Sequence, residues 1–347
     1  MTETSHLPPR TLRLALDQSA LAENWRYLNR MSGSAQAGAA VKADGYGLGA
    51  DRVVPVLRDA GVQDFFVAHW SEAHSVARHI PAHRISVLHG AVNREEAEYG
   101  IRHGIRPVIN SLHQARVWQE SGGGLCHVMV DSGMSRLGLS LEDVSDPVIA
   151  ALDIDLAMSH LASADEDVAQ NALQLERSRA AFAQLPARRF SLANSAGIML
   201  GRDYHFDLTR PGLSLYGGIA RPEMAGNIRQ VAIPQAAVIQ KRRLQAGDSV
   251  GYNARFVAPG PMNVAVISLG YADGLLRLQQ TPYLEFDRKK LPVLGNISMD
   301  MTIVDIGQAP DLREGDWVNL PYDLRMVSDR SQLSQYELLT ILGLRLR

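Results

Sequence analysis

The sequence predicts an α/β protein: an N-terminal (β/α)8 TIM-like barrel over residues 12–228, then a mostly-β domain over 229–347 with which residues 1–11 pack. Three observations carry this. At 347 residues the chain exceeds one ordinary domain and suits a large domain plus a smaller one. Between residues 37 and 212, short apolar runs alternate with helical patterns, which implies a parallel sheet, and eight strands is a number that closes into a barrel. Near residue 228 the texture changes to β-type runs with little helical signal, and all eleven histidines lie before residue 206.

The first element is helical: "SALAENWRYLNRM" repeats apolar residues three and four apart. The eight strands follow as "AGAAVK", "DFFVAHW", "RISVLHG", "RPVIN", "CHVMVDS", "LAMSH", "RFSLAN" and "FDLTRPG". Helical segments fall between several of them: "SVARHI" after the second, "REEAEYGIRHG" after the third, "VAQNALQLERSRAAFAQL" before the seventh. A doubly wound sheet would need a nucleotide fingerprint; "GYGLG" has the wrong glycine spacing and no GK[ST] follows a glycine-rich loop. In the second part, "AAVIQKRRLQAGDSVGYNARF", "MNVAVISLGYADG" and "LPVLGNISMDMTIVDIG" read as strands broken by Gly-Asp and Pro. A short helix, "SQLSQYELLTIL", closes the chain.

Composition narrows the function classes. A net charge of −2 with scattered Lys and Arg argues against nucleic acid. The single cysteine, Cys126, excludes a disulfide framework and suits a reducing compartment. "MTETSHLPPR" has no apolar signal core and no run reaches membrane-spanning length, so a cytoplasmic protein is expected. No G-x-S-x-G elbow is present. The histidines of "HWSEAHSVARHIPAH" stand five apart with Pro81 inside the one four-residue pair, and no cysteine joins them, so no metal site is expected.

Active sites of parallel barrels form at the C-terminal strand ends. That position holds Lys42, His69, His89, Asn110, Asp131 with nearby Arg136, His160, Asn194 with Ser195, and Arg210. A lysine amine is mostly protonated at neutral pH and needs desolvation or cationic neighbours to become a nucleophile. A small-residue strand end with Arg136, Arg210 and His160 on the same rim could supply both. Such a lysine typically forms a Schiff base, most often with pyridoxal phosphate. "RPGLSLYGG" and Asn194-Ser195-Ala196-Gly197 sit where barrels usually cradle a phosphate.

Seven motifs, "VKADGYGLGA", "DSGMSRLGL", "ANSAG", "RPGLSLYG", "VGYNARF", "GYADG" and "GNISMD", resemble in order those of bacterial alanine racemases, over roughly residues 12–345. The resemblance implies a pyridoxal 5'-phosphate enzyme with a barrel and a β domain. It implies that Lys42 carries the cofactor and acts as base on one face of the adduct. Tyr252, contributed by the second subunit of a homodimer, is implied as the base on the other. Arg210 would face the pyridine nitrogen and His160 would link it to the tyrosine. Arg136 would contact the cofactor phenolic oxygen and the substrate carboxylate. Tyr46, Ser195, Gly212 and Leu213 match phosphate contacts, Met299 a backbone contact to the carboxylate, and Tyr271 a residue narrowing the entrance. The implied activity is interconversion of L- and D-alanine, supplying D-alanine for peptidoglycan.

Three positions depart from the family pattern: Met129 where many relatives carry a lysine, Ser191 where many carry a histidine, and no tyrosine after Tyr336. None removes a base. The competing readings are racemisation of another small amino acid such as serine, a barrel-fold pyridoxal decarboxylase, and a non-catalytic pyridoxal-phosphate carrier. Arg210 argues against the decarboxylase, whose relatives carry a glutamate there, and Tyr252 against the carrier.

Overall fold

A computed structural model of the chain describes residues 8–277, 283–342 and 344–346. Residues 1–7, expected to pack with the β domain, lie outside the described residues. The chain divides into two compact units, Gln18–Arg229 and the segments on either side of it. The first strand of the described chain is β1 (Leu12–Leu16).

The unit Gln18–Arg229 is the barrel. Its strands are β2 (Gln36–Ala37), β3 (Ala39–Ala40), β4 (Phe65–Val67), β5 (Ile85–Val87), β6 (Arg106–Ile109), β7 (Leu125–Met129), β8 (Asp153–Met158), β9 (Arg189–Ser191) and β10 (Leu208–Thr209). Strands β3 to β9 pair in sequence order, all parallel, and β10 pairs with β2. Main-chain bonds close the ring. β2 and β3 are one strand interrupted at Gly38. One of its edges gives Ala39 N and Val41 N to Asp64 O and Phe66 O, both at 2.8 Å. The other gives Gly38 N and Ala40 N to Thr209 O and Pro211 O, both at 2.9 Å. The β10 segment joins β9 through Asp207 N to Phe190 O at 3.0 Å and Arg210 N to Ala193 O at 2.8 Å. Gly38 is required because a Cβ there would lie 2.8 Å from Asp64 O.

Strands buried on both faces read as continuous apolar runs, and Phe65, Phe66, Ile85, Val87, Val108, Ile109, Val128 and Leu156 are all buried. Helices cover the outside. Gln18–Met31 buries Leu21, Trp25 and Leu28 on one stripe. Arg94–His103 is capped by Asn93, whose side chain accepts from Glu96 N, and Ala169–Phe182 precedes β9. Two further helices, Ala50–Ala60 and Leu112–Glu120, carry weaker sequence signals: Pro55 sits inside the first, and the second spans nine residues. At the N-terminal strand ends, the end that carries stability in barrels, Arg189 binds Asp64 at 2.9 Å and Asp155 at 2.7 Å, and Arg106 also binds Asp155 at 2.7 Å.

The second unit is built on β11 (Ala232–Leu244). It also contains β12 (Ser249–Val250), β13 (Phe256–Val257), β14 (Met262–Ile267), β15 (Tyr283–Phe286), β16 (Lys289–Pro292), β17 (Thr302–Asp305) and β18 (Trp317–Asn319). Six of them run β16-β15-β18-β11-β14-β17, with antiparallel pairing. The boundary expected at residue 12 falls at Gln18. Strand β1 pairs antiparallel with β11, Leu12 opposite Ala236 and Leu16 opposite Ala232. The reason is its alternation: Leu12 and Leu14 are buried while Arg13 between them is exposed, so one face alone seeks a core. Near the C-terminus, the segment expected as one helix is interrupted at Gln332 (φ 64°), and Ser334 caps Gln335–Thr340. The preceding helix, Leu324–Ser331, was not expected; Asp323 caps it.

Candidate active site

Directly after β3 the chain enters a left-handed turn. Ala43, Asp44, Gly45 and Tyr46 have φ of 52°, 53°, 64° and 55°, a conformation that costs about 1–2 kcal/mol per non-glycine residue. Gly45 N donates to Val41 O at 2.9 Å and Gly47 N to Ala43 O at 2.8 Å. Asp44 Oδ1 accepts from Ala50 N at 2.6 Å, and Glu72 Oε1 from Ala43 N at 2.7 Å. Gly45 must be glycine, since a Cβ there would meet Val53 Cγ2 at 2.6 Å. The turn leaves Lys42 at the strand end and buries Tyr46, which stacks on Tyr216 with ring centroids 4.7 Å apart.

The Lys42 amine is held below its ordinary value by burial and then by Arg136; Glu72 opposes this and Arg210 adds to it. Arg210 is buried, with Nη1 donating to Ser191 Oγ and Nη2 to Ser159 O. Burial lowers its guanidinium to about 10, so it stays charged at neutral pH. His160 is pushed down to about 3, by burial first and then by Arg210, Arg136 and Lys42, and is neutral. The loop carrying Arg136 is folded around Asp131. Its carboxylate accepts from the backbone N–H groups of Gly133, Met134, Ser135 and Arg136 at 2.8–3.1 Å. Burial pushes that carboxyl up, and those four donors outweigh it. Among the described residues, no carboxylate pairs with Arg136 or Arg210. The rim therefore presents cationic groups in want of an anion.

Beside it lies a cradle. Ser195 Oγ accepts from Gly212 N at 2.9 Å and Ser214 N at 3.3 Å. Leu213 opens the short turn Leu213–Tyr216, and Tyr216 Oη donates to Ala40 O at 2.8 Å. The Tyr46 hydroxyl approaches Gly212 so closely that a Cβ there would lie 2.1 Å from it. Asn194 serves the adjoining turn, its Oδ1 accepting from Gly197 N at 2.9 Å. Lys42, Arg136, His160 and Arg210 thus act on one another electrostatically, and Tyr46, Ser195, Gly212 and Leu213 form one cradle. Glu72 and Ser159 are site groups that the sequence motifs do not mark, and Ser191, which stands where many relatives carry a histidine, holds Arg210. A first-turn acid and two strand-end serines carry no local signal of their partners.

Tyr252, Tyr271 and Met299 lie in the β unit around one loop. Asn296 Nδ2 donates to Tyr252 O at 3.2 Å, Tyr271 N to Ser298 O at 3.1 Å, and Ala272 N to Met299 O at 2.9 Å. All three side chains are exposed, Tyr252 by 68%. Tyr271 carries the Arg277 guanidinium 4.6 Å from its ring centre.

Comparison with known proteins decides the family. Residues 16–220 match the family model "alanine racemase, N-terminal domain", and residues 231–347 match "alanine racemase, C-terminal domain". The alanine racemase of Methylobacterium nodulans is 40% identical over 96% of this chain and 94% of its own length. The biosynthetic alanine racemase of Agrobacterium fabrum is 38% identical over 99% and 94%. The solved alanine racemase of Bartonella henselae, which has pyridoxal phosphate covalently bound, superposes with a TM-score of 0.84 at 36% identity over 97% and 98% of the two chains.

The chain belongs to the alanine racemase family.

Within the limits of the two matched domains, Lys42, the Arg136 loop, His160, Arg210 and the Gly212 cradle fall in the N-terminal alanine racemase domain. Tyr252, Tyr271 and Met299 fall in the C-terminal one.

Proposed function

We propose that this chain interconverts L- and D-alanine with pyridoxal 5'-phosphate as cofactor. The observation that carries the reading is the Lys42 amine, held low by burial and by Arg136 at the barrel rim, beside a glycine cradle with no room for a Cβ. The residues present suit the cofactor. Ser195, Tyr46 and the Gly212–Leu213 backbone would hold its phosphate, Lys42 its carbonyl carbon, and the buried guanidinium of Arg210 its ring nitrogen. When bound, pyridoxal phosphate supplies an electron-accepting ring that acidifies the Cα–H of an attached amino acid.

The rest belongs to the chain's own groups. Lys42 takes or returns the proton on one face of the substrate. The Tyr252 phenol, from a second copy of the chain, does so on the other, and each such base contributes roughly 10²–10⁴ in rate. Arg136 and the backbone at Met299 hold the substrate carboxylate, and Tyr271 narrows the entrance. His160 links Arg210 to the phenol. Arg210 keeps its own protons, which favours returning a proton to Cα over loss of carbon dioxide. The exposed Tyr252, Val257, Met299 and Met301 of the β unit support the homodimer. No helix among the described residues is long and apolar enough to cross a membrane; we place the enzyme in the cytoplasm, supplying D-alanine for peptidoglycan.

The test incubates the purified protein with L-alanine in D₂O, with and without added cofactor. D-alanine carrying deuterium at Cα supports the reading; carbon dioxide release favours the decarboxylase, and cofactor binding without turnover the carrier. Serine belongs in the same assay, because small side-chain pockets discriminate such differences by only about 10–200-fold.

A further inference from the structure

We propose that Glu72 is a positioning residue for Lys42: its carboxylate ties the left-handed turn after Lys42 to the end of strand β4 and thereby aims the lysine amine. The inference rests on the assignment of Lys42 as a base and adds a group to that site.

The geometry is that of a bracket. Glu72 lies in the first turn of the helix Trp70–Val76 and is half-buried. Its Oε1 accepts from Ala43 N at 2.7 Å, the N–H immediately after Lys42. Its Oε2 accepts from Ala68 N at 2.7 Å and His69 N at 3.3 Å, the first N–H groups past β4. The last bond between β3 and β4 is Val41 N to Phe66 O at 2.8 Å. Beyond it the two strands part, and one side chain supplies acceptors to both. The segment it grips holds Ala43, Asp44 and Tyr46 at positive φ, so the bracket acts where the backbone most needs a restraint.

Charge points the same way. The groups acting on Lys42 come from several elements: Glu72 from its helix, Arg136 from the loop after β7, and Arg210 from the end of β10. His160 after β8 and His89 after β5 also feel the lysine, and both are held below the ordinary histidine value, burial being the first cause in each. Glu72 is the one anion among them. Without it the amine would face cations and neutral rings alone.

The competing account is that Glu72 merely caps its own helix through Ala68 and His69. Glu72→Gln and Glu72→Asp separate the two accounts, each measured as the cofactor-loaded enzyme. Amide hydrogen exchange of residues 43–46 needs no turnover and is expected to rise roughly tenfold in Glu72→Gln, which loses an acceptor and the charge. In racemisation, the deuterium isotope effect on Cα of D-alanine should rise and that on L-alanine should fall, because only the lysine-side proton transfer becomes slower. The acid limb of the pH–rate profile should move to lower pH in Glu72→Gln and stay in place in Glu72→Asp, which keeps the charge with a shorter reach. A lower active fraction alone would move neither the isotope effects nor the limb. Unchanged exchange, or raised exchange with both isotope effects and the limb unmoved, overturns the proposal. If Glu72→Gln does not fold, exchange and the paired isotope effects in Glu72→Asp carry the test. A wild-type enzyme that fails to racemise alanine would sink the functional reading while leaving the exchange result to judge the bracket.

Discussion

Replacing Gly212 by alanine should dismantle the cradle while leaving the catalytic groups in place. The new Cβ would sit 2.1 Å from the Tyr46 hydroxyl, 2.8 Å from its Cζ and 3.4 Å from the Ala40 Cβ. Tyr46 cannot swing clear cheaply, since its ring is buried and stacked on Tyr216 with centroids 4.7 Å apart. The backbone of Gly212 is itself fixed by its bond to Ser195 Oγ at 2.9 Å. Overpacking of this kind costs about 1–3 kcal/mol. For a unit the size of Gln18–Arg229, that lowers the melting temperature by about 2–12 °C. Either relief, a displaced tyrosine or a shifted turn, also removes one charge-assisted phosphate contact worth about 1.5–3 kcal/mol. Cofactor affinity should therefore fall roughly 10- to 150-fold. Thermal unfolding of cofactor-free protein reads the first effect, and a pyridoxal phosphate titration followed by absorbance reads the second. A variant that binds the cofactor within about threefold of wild type and melts at the same temperature would show that this glycine is not where the phosphate lies.

Lys42→Ala and Tyr252→Phe should each abolish or severely slow racemisation in both directions while Tyr252→Phe still binds the cofactor, measured by polarimetry and absorbance. Ser191→Ala strands the Nη1 of buried Arg210 and should destabilise the protein by about 1–3 kcal/mol in urea unfolding, whereas Ser191→Thr, which keeps the hydroxyl, should recover most of it. His160 is held down to about 3 from an ordinary 6.5, so the unfolded chain binds more protons between those values and stability is lost as pH falls through that window. Urea midpoints of the cofactor-free protein should drop from pH 7.5 to pH 5, with a shallower slope in His160→Gln; equal slopes would contradict a neutral, half-buried imidazole.

Much of this was legible along the chain, and the limits of legibility are physical. The alternation of apolar runs with helical periods is a local property, and it led to a barrel followed by a β domain. Strand ends are local too, which is why Lys42, His160 and Arg210 could be named from position alone. The allegiance of Leu12–Leu16 could not, because an alternating five-residue strand states which face is buried but not which strand it will pair with. The break in the C-terminal helix at Gln332 depended on a positive φ that its sequence does not announce.

What the sequence by itself determined is the succession of a barrel and a β domain, the family motifs and the identities of the groups that can hold or move a proton. These follow from side-chain chemistry and short-range periodicity. Tertiary structure alone decided that Gly38 splits a strand between two partners, that Ser159 and Ser191 hold Arg210, that Glu72 brackets the turn after Lys42, and that Gly212 yields its side-chain space to Tyr46. Each joins residues between 19 and 171 positions apart in sequence, or turns on a backbone conformation that only such distant contacts can sustain. No pattern along a single stretch can encode which distant donor an oxygen will meet.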